Sequence, residues 1–387
     1  MFEINEFLTE EQIAMKQLAR DIAVEKLKPV AAKYDESGEF PWPVMKIMAD
    51  AGLFGAFIPE QYGGTSGKVI DMCLITEELS KVCSGIALGF AGTALGTFPI
   101  ILYGNEEQKK KYLPQIASGK RLAAFGLTEA NAGSDAAGIQ TTATKEGDYY
   151  ILNGTKQWIT NGGEAEIYSV IALTDRAKGP RGASAFILEK GMPGFNFGKK
   201  ENKMGIRASA TRELVFENCK VHKSQMLGKE GQGFFVTMKT FDATRPGVAS
   251  QALGIAEGAL ELAVRYACER KQFGKTIASF QGLQFLLADM ATQVQAAKHL
   301  VYAAARAVDE NHPNRSALSA MAKMFASDTA MRVTTDAVQV YGGYGYMKEY
   351  PVEKMMRDAK ITQIYEGTNQ IQREVIALEL IKKVARG

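Results

Sequence analysis

The sequence predicts an α+β protein in which a helical segment, a β segment and a second helical segment follow one another along 387 residues. Three observations predict this order: helical spacing of apolar residues near the N-terminus, short strand-like runs in the middle, and a return of helical spacing afterwards. A chain of this length exceeds one ordinary domain of roughly 100–200 residues. We therefore expect three domains, at residues 1–121, 122–233 and 234–387.

The N-terminal segment begins with a helix signal. Thr9 is a candidate N-cap, and Gln12, three residues later, can complete a capping box. Apolar residues then recur at helical spacing at Met15, Leu18 and Ile22. These positions predict that the first helix starts directly after Thr9.

One stretch of this segment, residues 82–105, carries no charged residue and is long enough to cross a bilayer. It is interrupted by glycines, a proline and hydroxyl residues, which are Gly85, Gly89, Gly92, Gly96, Gly104, Pro99, Ser84, Thr93 and Thr97. This mixture favours a buried helix that packs closely against its neighbours or lines an apolar cavity. We therefore expect no membrane span.

The middle segment has the alternation of apolar and polar residues that is typical of β-strands. Asn153-Gly154 stands between two alternating runs, and this dipeptide is the strongest short signal for a hairpin turn. Further strand-like runs start at Glu166, Gly182 and Thr211. Because these runs follow one another closely without helices between them, they favour an antiparallel sandwich or barrel.

The C-terminal segment returns to helical spacing. Two long helices are marked by apolar residues three or four apart, at Leu253, Ala256, Leu260, Val264 and Ala267, and at Leu283, Leu286, Met290, Val294, Ala297 and Val301. A turn at residues 312–314 separates the second helix from the next. The pattern predicts a helical bundle.

The composition excludes several classes of protein. The 46 Lys and Arg against 43 Asp and Glu give a net charge of +3, which is too even for a protein that binds nucleic acid or a membrane surface. Widely spaced cysteines are typical of reduced thiols in a cytoplasmic protein, and they are Cys73, Cys83, Cys219 and Cys268. The acidic N-terminus lacks a secretory signal. The three histidines are not clustered with other ligands, so no metal site is expected.

Two strings carry candidate chemistry. Residues 126–138, GLTEANAGSDAAG, combine small residues with hydroxyls, and such a turn suits an anionic or amide-rich cofactor, although alone it could be a plain surface loop. Residues 364–372, IYEGTNQIQ, place Glu366 beside a glycine, with Thr368 and Asn369 able to cap the final helix. Taken alone, Glu366 could equally be a solvated loop carboxylate.

Together, these strings identify a family. Residues 126–138 and 339–358 fit two long patterns, and PEQYGG, KQWITNG, KMGIRAS, FDATRP, ERKQFGK and IYEGTNQIQ occur around them in order. Over essentially its whole length, the chain resembles the acyl-CoA dehydrogenases, in particular the short/medium-chain branch. The resemblance implies an N-terminal all-α domain, a middle antiparallel β-barrel or sandwich domain and a C-terminal four-helix bundle. It also implies FAD between the β domain and the bundle.

The resemblance implies FAD contacts in three groups. Beside the flavin ring system we expect Phe125, Leu127, Thr128, Gly133, Ser134, Trp158, Ile159 and Thr160. At the pyrophosphate and adenylate of a neighbouring subunit's FAD we expect Arg270, Phe273, Phe280, Gln281, Gln339, Gly342 and Gly343. Thr368 and Gln370 would touch the FAD of their own subunit. Contacts of this kind require at least a dimer, and the resemblance implies a homotetramer built as a dimer of dimers.

By the same resemblance, Glu366 is the catalytic base. Some branches carry the base at the place held here by Thr244, which cannot usefully accept a proton. Substrate contacts are expected at Ser134, Asp242, Arg245, Tyr365 and Gly367. Asp242 and Arg245 share one helical face, and alone they could be a surface ion pair.

The implied reaction is α,β-desaturation of an acyl-CoA. Glu366 would remove the α-proton, a hydride would pass to the flavin, and electron-transferring flavoprotein would accept the electrons. Ala87, Ala91, Ala94 and Gly96 are expected to line the acyl cavity. Because residues 82–105 contain no Lys or Arg, we expect an apolar acyl chain, short to medium or branched, rather than a dicarboxylic one.

Other functions stay open at this point. The same chemistry could run in reverse as an enoyl-CoA reductase with an electron-bifurcating partner. Acyl-CoA oxidases use oxygen but are usually much longer. The fold also hosts flavin monooxygenases and nitroalkane oxidases, and a non-catalytic acyl-CoA-binding protein could keep it. We expect a cytoplasmic protein of bacterial type, with a mature mitochondrial matrix protein as the alternative.

Overall fold

The computed structural model describes residue 5 and residues 7–386. Within these residues, the N-terminal region is formed by α1 (Glu10–Ile22), α2 (Ala31–Ser37), α3 (Trp42–Asp50), α4 (Val69–Tyr103) and α5 (Glu106–Ala117). The predicted capping box at the start of α1 is confirmed. The Thr9 hydroxyl accepts a hydrogen bond from the Gln12 N–H, and the Gln12 side chain accepts one from the Thr9 N–H.

Helix α4 contains the uncharged stretch and lies inside the protein. It is one helix, in the part of the chain described, that is long and apolar enough to cross a bilayer, and 78% of its most apolar window is buried. Its backbone leaves helical geometry at Cys83, where φ is −153° and ψ is 98°. Gly96 packs so closely on β1 that a Cβ there would lie 2.4 Å from the Ala124 nitrogen. The stretch is therefore a core helix, as the sequence predicts.

The middle region holds one eight-stranded sheet among the described residues. Its strands are β1 (Ala123–Gly126), β2 (Thr142–Glu146), β3 (Tyr149–Thr160), β4 (Ile167–Leu173), β5 (Ala183–Glu189), β6 (Phe195–Lys200), β7 (Thr211–His222) and β8 (Met226–Leu227). The order is β6-β7-β3-β2-β4-β5-β8, with β1 beside β4. The sheet is not wholly antiparallel as predicted, because β1 and β4 run parallel and β2 meets β4 in a single parallel pair.

The predicted hairpin turn at Asn153-Gly154 is wrong, because β3 runs straight through this dipeptide. The turn between β2 and β3 lies at residues 147 and 148, where Gly147 has a φ of +59°. Asn153-Gly154 instead forms a bulge against β7, and the Asn153 side chain accepts a hydrogen bond from the Asn218 N–H at 2.8 Å. Gly154 is needed for close approach, since a Cβ there would lie 2.6 Å from the Thr141 hydroxyl.

The C-terminal region is a helical bundle. In the described chain it consists of α6 (Gly233–Glu269), α7 (Gln281–Asp309), α8 (Arg315–Tyr341), the short α9 (Val352–Thr362) and α10 (Asn369–Arg386), with a ribbon of β9 (Lys271–Gln272) and β10 (Lys275–Thr276) before α7. Helices α6, α7 and α8 pack on one another, α10 packs on α8, and α6 also packs along α4. Four long helices thus form the bundle.

Changes of structure fall close to the predicted domain divisions. The last N-terminal helix ends at Ala117 and β1 begins at Ala123, while β8 ends at Leu227 and α6 begins at Gly233. One hydrophobic core nevertheless runs through all three regions. We keep the divisions after residues 121 and 233 as a proposal.

Candidate active site

A cavity lies where α4, the sheet and the bundle meet. It is lined from α4 by Met72, Leu88, Ala91, Gly92 and Leu95, from the sheet region by Phe125, Leu127, Thr128, Trp158, Ile159 and Thr160, and from the bundle and the loop before α10 by Phe241, Thr244, Gly247, Val248, Gln251, Tyr365 and Glu366. Six of the residues predicted to lie beside a flavin ring therefore share one cavity with the predicted base. Apart from Glu366 and Tyr365, this lining has no ionisable side chain.

On the sheet side, β1 and the end of β3 form the wall. A register irregularity in β3 between Lys156 and Ile159 accompanies a left-handed backbone at Trp158, whose φ is +58°. The Trp158 side chain is consequently 55% exposed, while Ile159 is buried. The Thr128 and Thr160 hydroxyls make no hydrogen bond to other described residues and are free to bond a ligand.

Behind this wall lies a buried ion pair. The Lys156 ammonium contacts a Glu129 carboxylate oxygen at 2.7 Å and donates to the Leu127 carbonyl at 2.9 Å. Burial lowers the pKa of Lys156 to about 8, against the opposing effect of Glu129. Because a peptide's C=O and N–H point in opposite directions, the Thr128 N–H faces away from Lys156. The pair therefore orients the strand edge that lines the cavity.

On the bundle side, Glu366 lies in the loop between α9 and α10. Its backbone is left-handed, with a φ of +52°, and Gly367 follows with +89°. The Thr244 hydroxyl donates to a Glu366 carboxylate oxygen at 2.8 Å. Burial raises the pKa of Glu366 to about 7, although the Thr244 hydrogen bond, Arg245 and Lys323 act to lower it. This carboxyl group can hold or release a proton near neutral pH.

Donors also hold the backbone around Glu366. The Arg245 Nε donates to the Glu366 carbonyl at 3.4 Å, and the Gln372 side-chain nitrogen donates to it at 3.1 Å and to the Gly367 carbonyl at 2.8 Å. The Glu366 N–H itself makes no hydrogen bond to the rest of the described chain. Glu366 thus has a restrained backbone and, among the described residues, a free N–H donor.

The predicted substrate residues are placed unevenly. Tyr365 lines the cavity and donates to the Gln251 side chain, and Gly367 adjoins it. Asp242 and Arg245 are buried on the same helix as Thr244, and the distance from Arg245 Nη1 to Asp242 Oδ1 is 3.9 Å. The Ser316 hydroxyl donates a hydrogen bond of 2.8 Å to Asp242. Asp242 and Arg245 are therefore not the surface pair that their spacing alone allowed.

Ser134 lies in an exposed loop outside the lining, as does Gly133.

The residues predicted to meet a second subunit's cofactor lie elsewhere on the chain. Arg270, Gly342 and Gly343 line a separate open cleft beside α8. Phe273 is 91% exposed, and its ring centroid lies 5.9 Å from that of Phe280.

Gln281 begins α7, and Gln339 is exposed near the end of α8. Thr368 accepts a hydrogen bond from the Ile371 N–H and caps α10, whereas Gln370 is exposed. Within a single chain, these residues do not join Glu366 in its cavity, and their cofactor roles stay predictions.

The sequence left several lining residues unidentified. Of the four small residues expected at the acyl cavity, only Ala91 lines it, while Ala87 and Ala94 are buried elsewhere and Gly96 packs on β1. Leu88, Gly92 and Leu95 line it with Ala91, because they share its helical face. Ala91, Gly92 and Leu95 follow Leu88 by three, four and seven residues, and this helical spacing was the signal in the sequence that could have identified them. Thr244, which the sequence excluded as a base, donates a hydrogen bond to the Glu366 carboxylate.

The open side of the cavity fits the ring system of FAD. A flat aromatic ring with polar edge atoms would cover the exposed indole of Trp158 and bond to the free hydroxyls of Thr128 and Thr160. No group of three or more His, Cys, Asp or Glu that could hold a metal ion occurs in the described residues.

Comparisons with known families match nearly the whole chain. Residues 9–120 match "Acyl-CoA dehydrogenase, N-terminal domain", residues 124–219 match "Acyl-CoA dehydrogenase, middle domain", and residues 231–381 match "Acyl-CoA dehydrogenase, C-terminal domain". A short-chain specific acyl-CoA dehydrogenase of Clostridium acetobutylicum is 50% identical, over 97% of this chain and 99% of the relative. An acryloyl-CoA reductase (NADH) of Anaerotignum propionicum is 48% identical, over 97% and 96%.

Solved structures agree with these matches. The butyryl-CoA dehydrogenase of Megasphaera elsdenii is 50% identical with a TM-score of 0.95, covering 98% of this chain and 100% of that one. A chain from work on the electron-transferring flavoprotein of Acidaminococcus fermentans and flavin-based electron bifurcation is 53% identical, also at 0.95, covering 98% and 99%. An acyl-CoA dehydrogenase of Bacillus anthracis complexed with FAD is 36% identical at 0.93, covering 100% and 69%.

Proposed function

Because this chain belongs to the acyl-CoA dehydrogenase family, whose members are FAD enzymes, we propose that it oxidises short, apolar acyl-CoA thioesters to their α,β-unsaturated products. In this proposal Glu366 takes the α-proton and electron-transferring flavoprotein receives the electrons. FAD, when bound, supplies the acceptor for the β-hydride. The relatives named above are acyl-CoA dehydrogenases, and enzymes of this kind are oxidoreductases.

The observation that supports this proposal most strongly is the state of Glu366. It is the one acidic side chain in the lining, and burial raises its pKa to about 7. A base works best when its pKa lies near the working pH, and a well-placed base contributes roughly 10²–10⁴ in rate. At neutral pH this carboxyl group can accept a proton and also release it again to solvent.

The free Glu366 N–H gives the same residue a second task. Removing an α-proton moves negative charge onto the thioester oxygen, and a donor aimed at that oxygen stabilises the charge. Donors of this kind contribute roughly 3–4 kcal/mol each. Arg245 and Gln372 hold the carbonyl groups of Glu366 and Gly367, which directly follow this N–H, and so restrict the backbone next to it.

The lining favours a short apolar acyl group. Met72, Leu88 and Leu95 line the cavity from α4, and no Lys or Arg lines it among the described residues. A second carboxylate on the acyl chain would be left without a partner, at a cost of several kcal/mol. We therefore expect butyryl-CoA to be preferred over glutaryl-CoA by at least about tenfold in kcat/KM.

The test is Glu366→Gln, compared with Glu146→Gln on the exposed end of β2. We expect the Glu366 variant to bind FAD and acyl-CoA but to lose flavin reduction by a factor of at least about 10² in anaerobic stopped-flow experiments. The Glu146 variant should match the wild type. Undiminished bleaching of the flavin in the Glu366 variant would refute the role of this residue.

A second candidate, reduction of an enoyl-CoA, is favoured by two comparisons. One relative is named acryloyl-CoA reductase, and one similar chain comes from work on electron bifurcation. The two directions differ in the reduction potential of the bound flavin, which spectroelectrochemistry measures with and without acyl-CoA. Transfer of electrons from butyryl-CoA to electron-transferring flavoprotein would favour the dehydrogenase, and net formation of butyryl-CoA with NADH and that partner would favour the reductase.

The assembly and the location complete the proposal. The cleft at Arg270, Gly342 and Gly343 is separate from the Glu366 cavity, which is expected if it receives the adenylate part of a partner subunit's FAD. We therefore propose a homotetramer in the bacterial cytoplasm. Light scattering of the yellow protein measures the assembly, and Arg270→Ala should weaken FAD binding in every subunit. A monomer that binds FAD fully would contradict this arrangement.

A further inference from the structure

One buried lysine in the bundle has no carboxylate partner. Lys323, in the middle of α8, is 0% exposed and makes no ion pair within 4.0 Å among the described residues. The other buried lysines, which are Lys16, Lys156, Lys298 and Lys354, each contact at least one carboxylate. Burying an ammonium group without such a partner is costly, so the position of Lys323 requires another explanation.

The contacts of Lys323 are with the loop that carries the base. Its ammonium group donates to the Gly367 carbonyl at 2.8 Å and to the Asn369 side-chain oxygen at 3.0 Å. Asn369 in turn donates to Ser327 at 2.9 Å and to Asp328 at 2.7 Å, both on α8. Lys323 therefore anchors the first three residues after Glu366 to a helix of the bundle.

This loop needs anchoring because its backbone is strained. Glu366 is left-handed, and for a residue with a side chain that conformation costs roughly 1–2 kcal/mol. Gly367 is left-handed too, and a Cβ there would lie 2.8 Å from the Gln372 side-chain nitrogen. A conformation of this kind persists only where surrounding contacts determine it. Lys323 and Gln372 hold the same Gly367 carbonyl.

We propose that Lys323 is a positioning residue for the reaction, which holds the Glu366–Gly367 turn in its left-handed conformation and, when protonated, places a positive charge near the Glu366 carboxyl group. The proposal rests on the proposed function of Glu366. Charged groups that face Lys323 are Glu366 itself, Arg245 of α6 and Asp328 of α8. Burial lowers the pKa of Lys323 to about 7, against the opposing effect of Glu366, so this amine carries its positive charge mainly below that pH. When it is protonated, the cation favours the carboxylate form of Glu366, since an opposite charge stabilises the ionised state.

Two changes should follow from replacing Lys323 by Met. Without the anchor, the free N–H and the carboxylate of Glu366 lose their fixed direction, and we expect kcat at pH 7 to fall by about 10- to 100-fold with KM changed by less than about threefold. Without the cation, the pKa of Glu366 rises further. Because the carboxylate is the active form, the acidic limb of the pH profile of kcat moves to higher pH.

The experiment compares Lys323→Met, Lys323→Gln and Lys323→Arg with Lys360→Met, an exposed lysine of α9. Each protein is purified with FAD, its flavin spectrum and melting temperature are recorded, and kcat is measured from pH 5.5 to 9. We expect the limb to move for Met and Gln, and to stay within about 0.3 pH units of the wild type for Arg. The Lys360 variant should match the wild type throughout.

Several outcomes would overturn the proposal. A folded Lys323→Met or Lys323→Gln protein with an unchanged acidic limb would show that Lys323 acts only on stability. If Lys323→Met does not fold, Lys323→Gln decides, because it keeps a donor for the Gly367 carbonyl without the charge. The two proposals can fail independently. An active Glu366→Gln enzyme would refute the role of Glu366 as base, whereas an unchanged acidic limb in the Lys323 variants would refute only the role of Lys323.

Discussion

Two carboxyl groups inside this protein lie in opposite surroundings: Glu77 is fully buried, whereas Glu366 is partly exposed at the cavity. Glu77, in the first half of α4, contacts the ammonium groups of Lys16 at 3.2 Å, Lys298 at 3.4 Å and Lys81 at 3.7 Å. It also accepts a hydrogen bond from Tyr302 at 2.8 Å. Glu366, at the cavity, has a hydroxyl partner, and none of its carboxylate oxygens lies within 4.0 Å of a described cation.

The difference shows that burial alone does not decide the charge of a carboxyl group. Burial acts to raise the pKa of both residues. At Glu77, Lys298, Lys16 and Lys81 outweigh it and hold the pKa well below its ordinary range. At Glu366 the opposing effects are weaker, and the pKa rises to about 7. One group is a permanent anion that joins helices, and the other can change its protonation during a reaction.

The largest effect is expected from breaking the ion network around Glu77. Lys298 contacts Glu77 at 3.4 Å and Glu257 at 2.5 Å, and all three side chains are buried. Lys298→Met leaves these carboxylates with less compensation, and we expect a loss of roughly 3–5 kcal/mol in the free energy of unfolding, measured by urea denaturation. Lys46→Met, which removes an exposed ion pair of α3, should cost less than about 1 kcal/mol. Equal costs would contradict the comparison.

Replacing Glu366 should have a smaller effect on the free energy of unfolding, and above neutral pH it should stabilise the protein where Lys298→Met destabilises it. Its pKa rises from 4.5 to about 7 on folding, so the folded protein binds more protons than the unfolded chain between these pH values. Stability contributed by this group is therefore lost as the pH rises from about 4.5 to 7, by at most roughly 3–4 kcal/mol, since one pKa unit corresponds to about 1.4 kcal/mol. We expect Glu366→Gln to remove this decline and to be at least as stable as the wild type at pH 7.5.

Glu77 should behave in the reverse way. Because its pKa is depressed on folding, its contribution is present above the unfolded value and is lost as the pH falls below it. Glu77→Gln should therefore destabilise the protein most at neutral pH. Denaturation curves of both variants at pH 3.5, 5 and 7.5 compare the two sites directly, because Glu77 acts below about pH 4.5 and Glu366 above it. Parallel pH dependences would contradict the assignment of one permanent and one switchable charge.

The smallest effect is expected from Thr244, the main partner of the Glu366 carboxylate. Thr244→Val keeps the shape of the side chain but removes the hydrogen bond of 2.8 Å. The pKa of Glu366 should rise, because this bond acts to lower it. We expect the acidic limb of kcat to move by about 1 pH unit to higher pH, since a hydrogen bond to a charged group contributes roughly 1.5–3 kcal/mol. Thr244→Ser, which keeps a hydroxyl, should leave it in place.

Local features of the fold could be predicted where the sequence itself contains both partners. The capping box of Thr9 and Gln12 needs only residues three apart, and the two changes of hydrophobic pattern lie close to the changes of structure. The hairpin was misplaced because Asn153-Gly154 has the preference of a turn, while the sheet decides its use. Its pairing with β7 brings in Asn218, 65 residues away, and no local pattern reports this contact.

The sequence allowed the key residue of the candidate site to be identified, but it did not allow the contacts of that residue to be predicted. Resemblance to a family identified Glu366, and no spacing in the sequence links it to Thr244 or Lys323, which come from two other helices. Four small residues of α4 look alike in the sequence, yet only Ala91 faces the cavity, because neighbouring elements decide which side of a buried helix meets open space. Tertiary packing supplies that information.

The irregular strand β3 restricts how this protein can vary in length. The pairing of β3 with β7 shifts register twice, near Gly154 and before Ile159. These shifts fix the number of residues that β3 needs between the turn at Gly147 and the cavity wall. Losing one residue in that interval would exchange the two faces of the strand, so that Ile159 and Thr160 turned away from the cavity. Deletions in this interval should thus be eliminated from natural and laboratory variants, whereas the exposed turn at Gly147 can accept added residues.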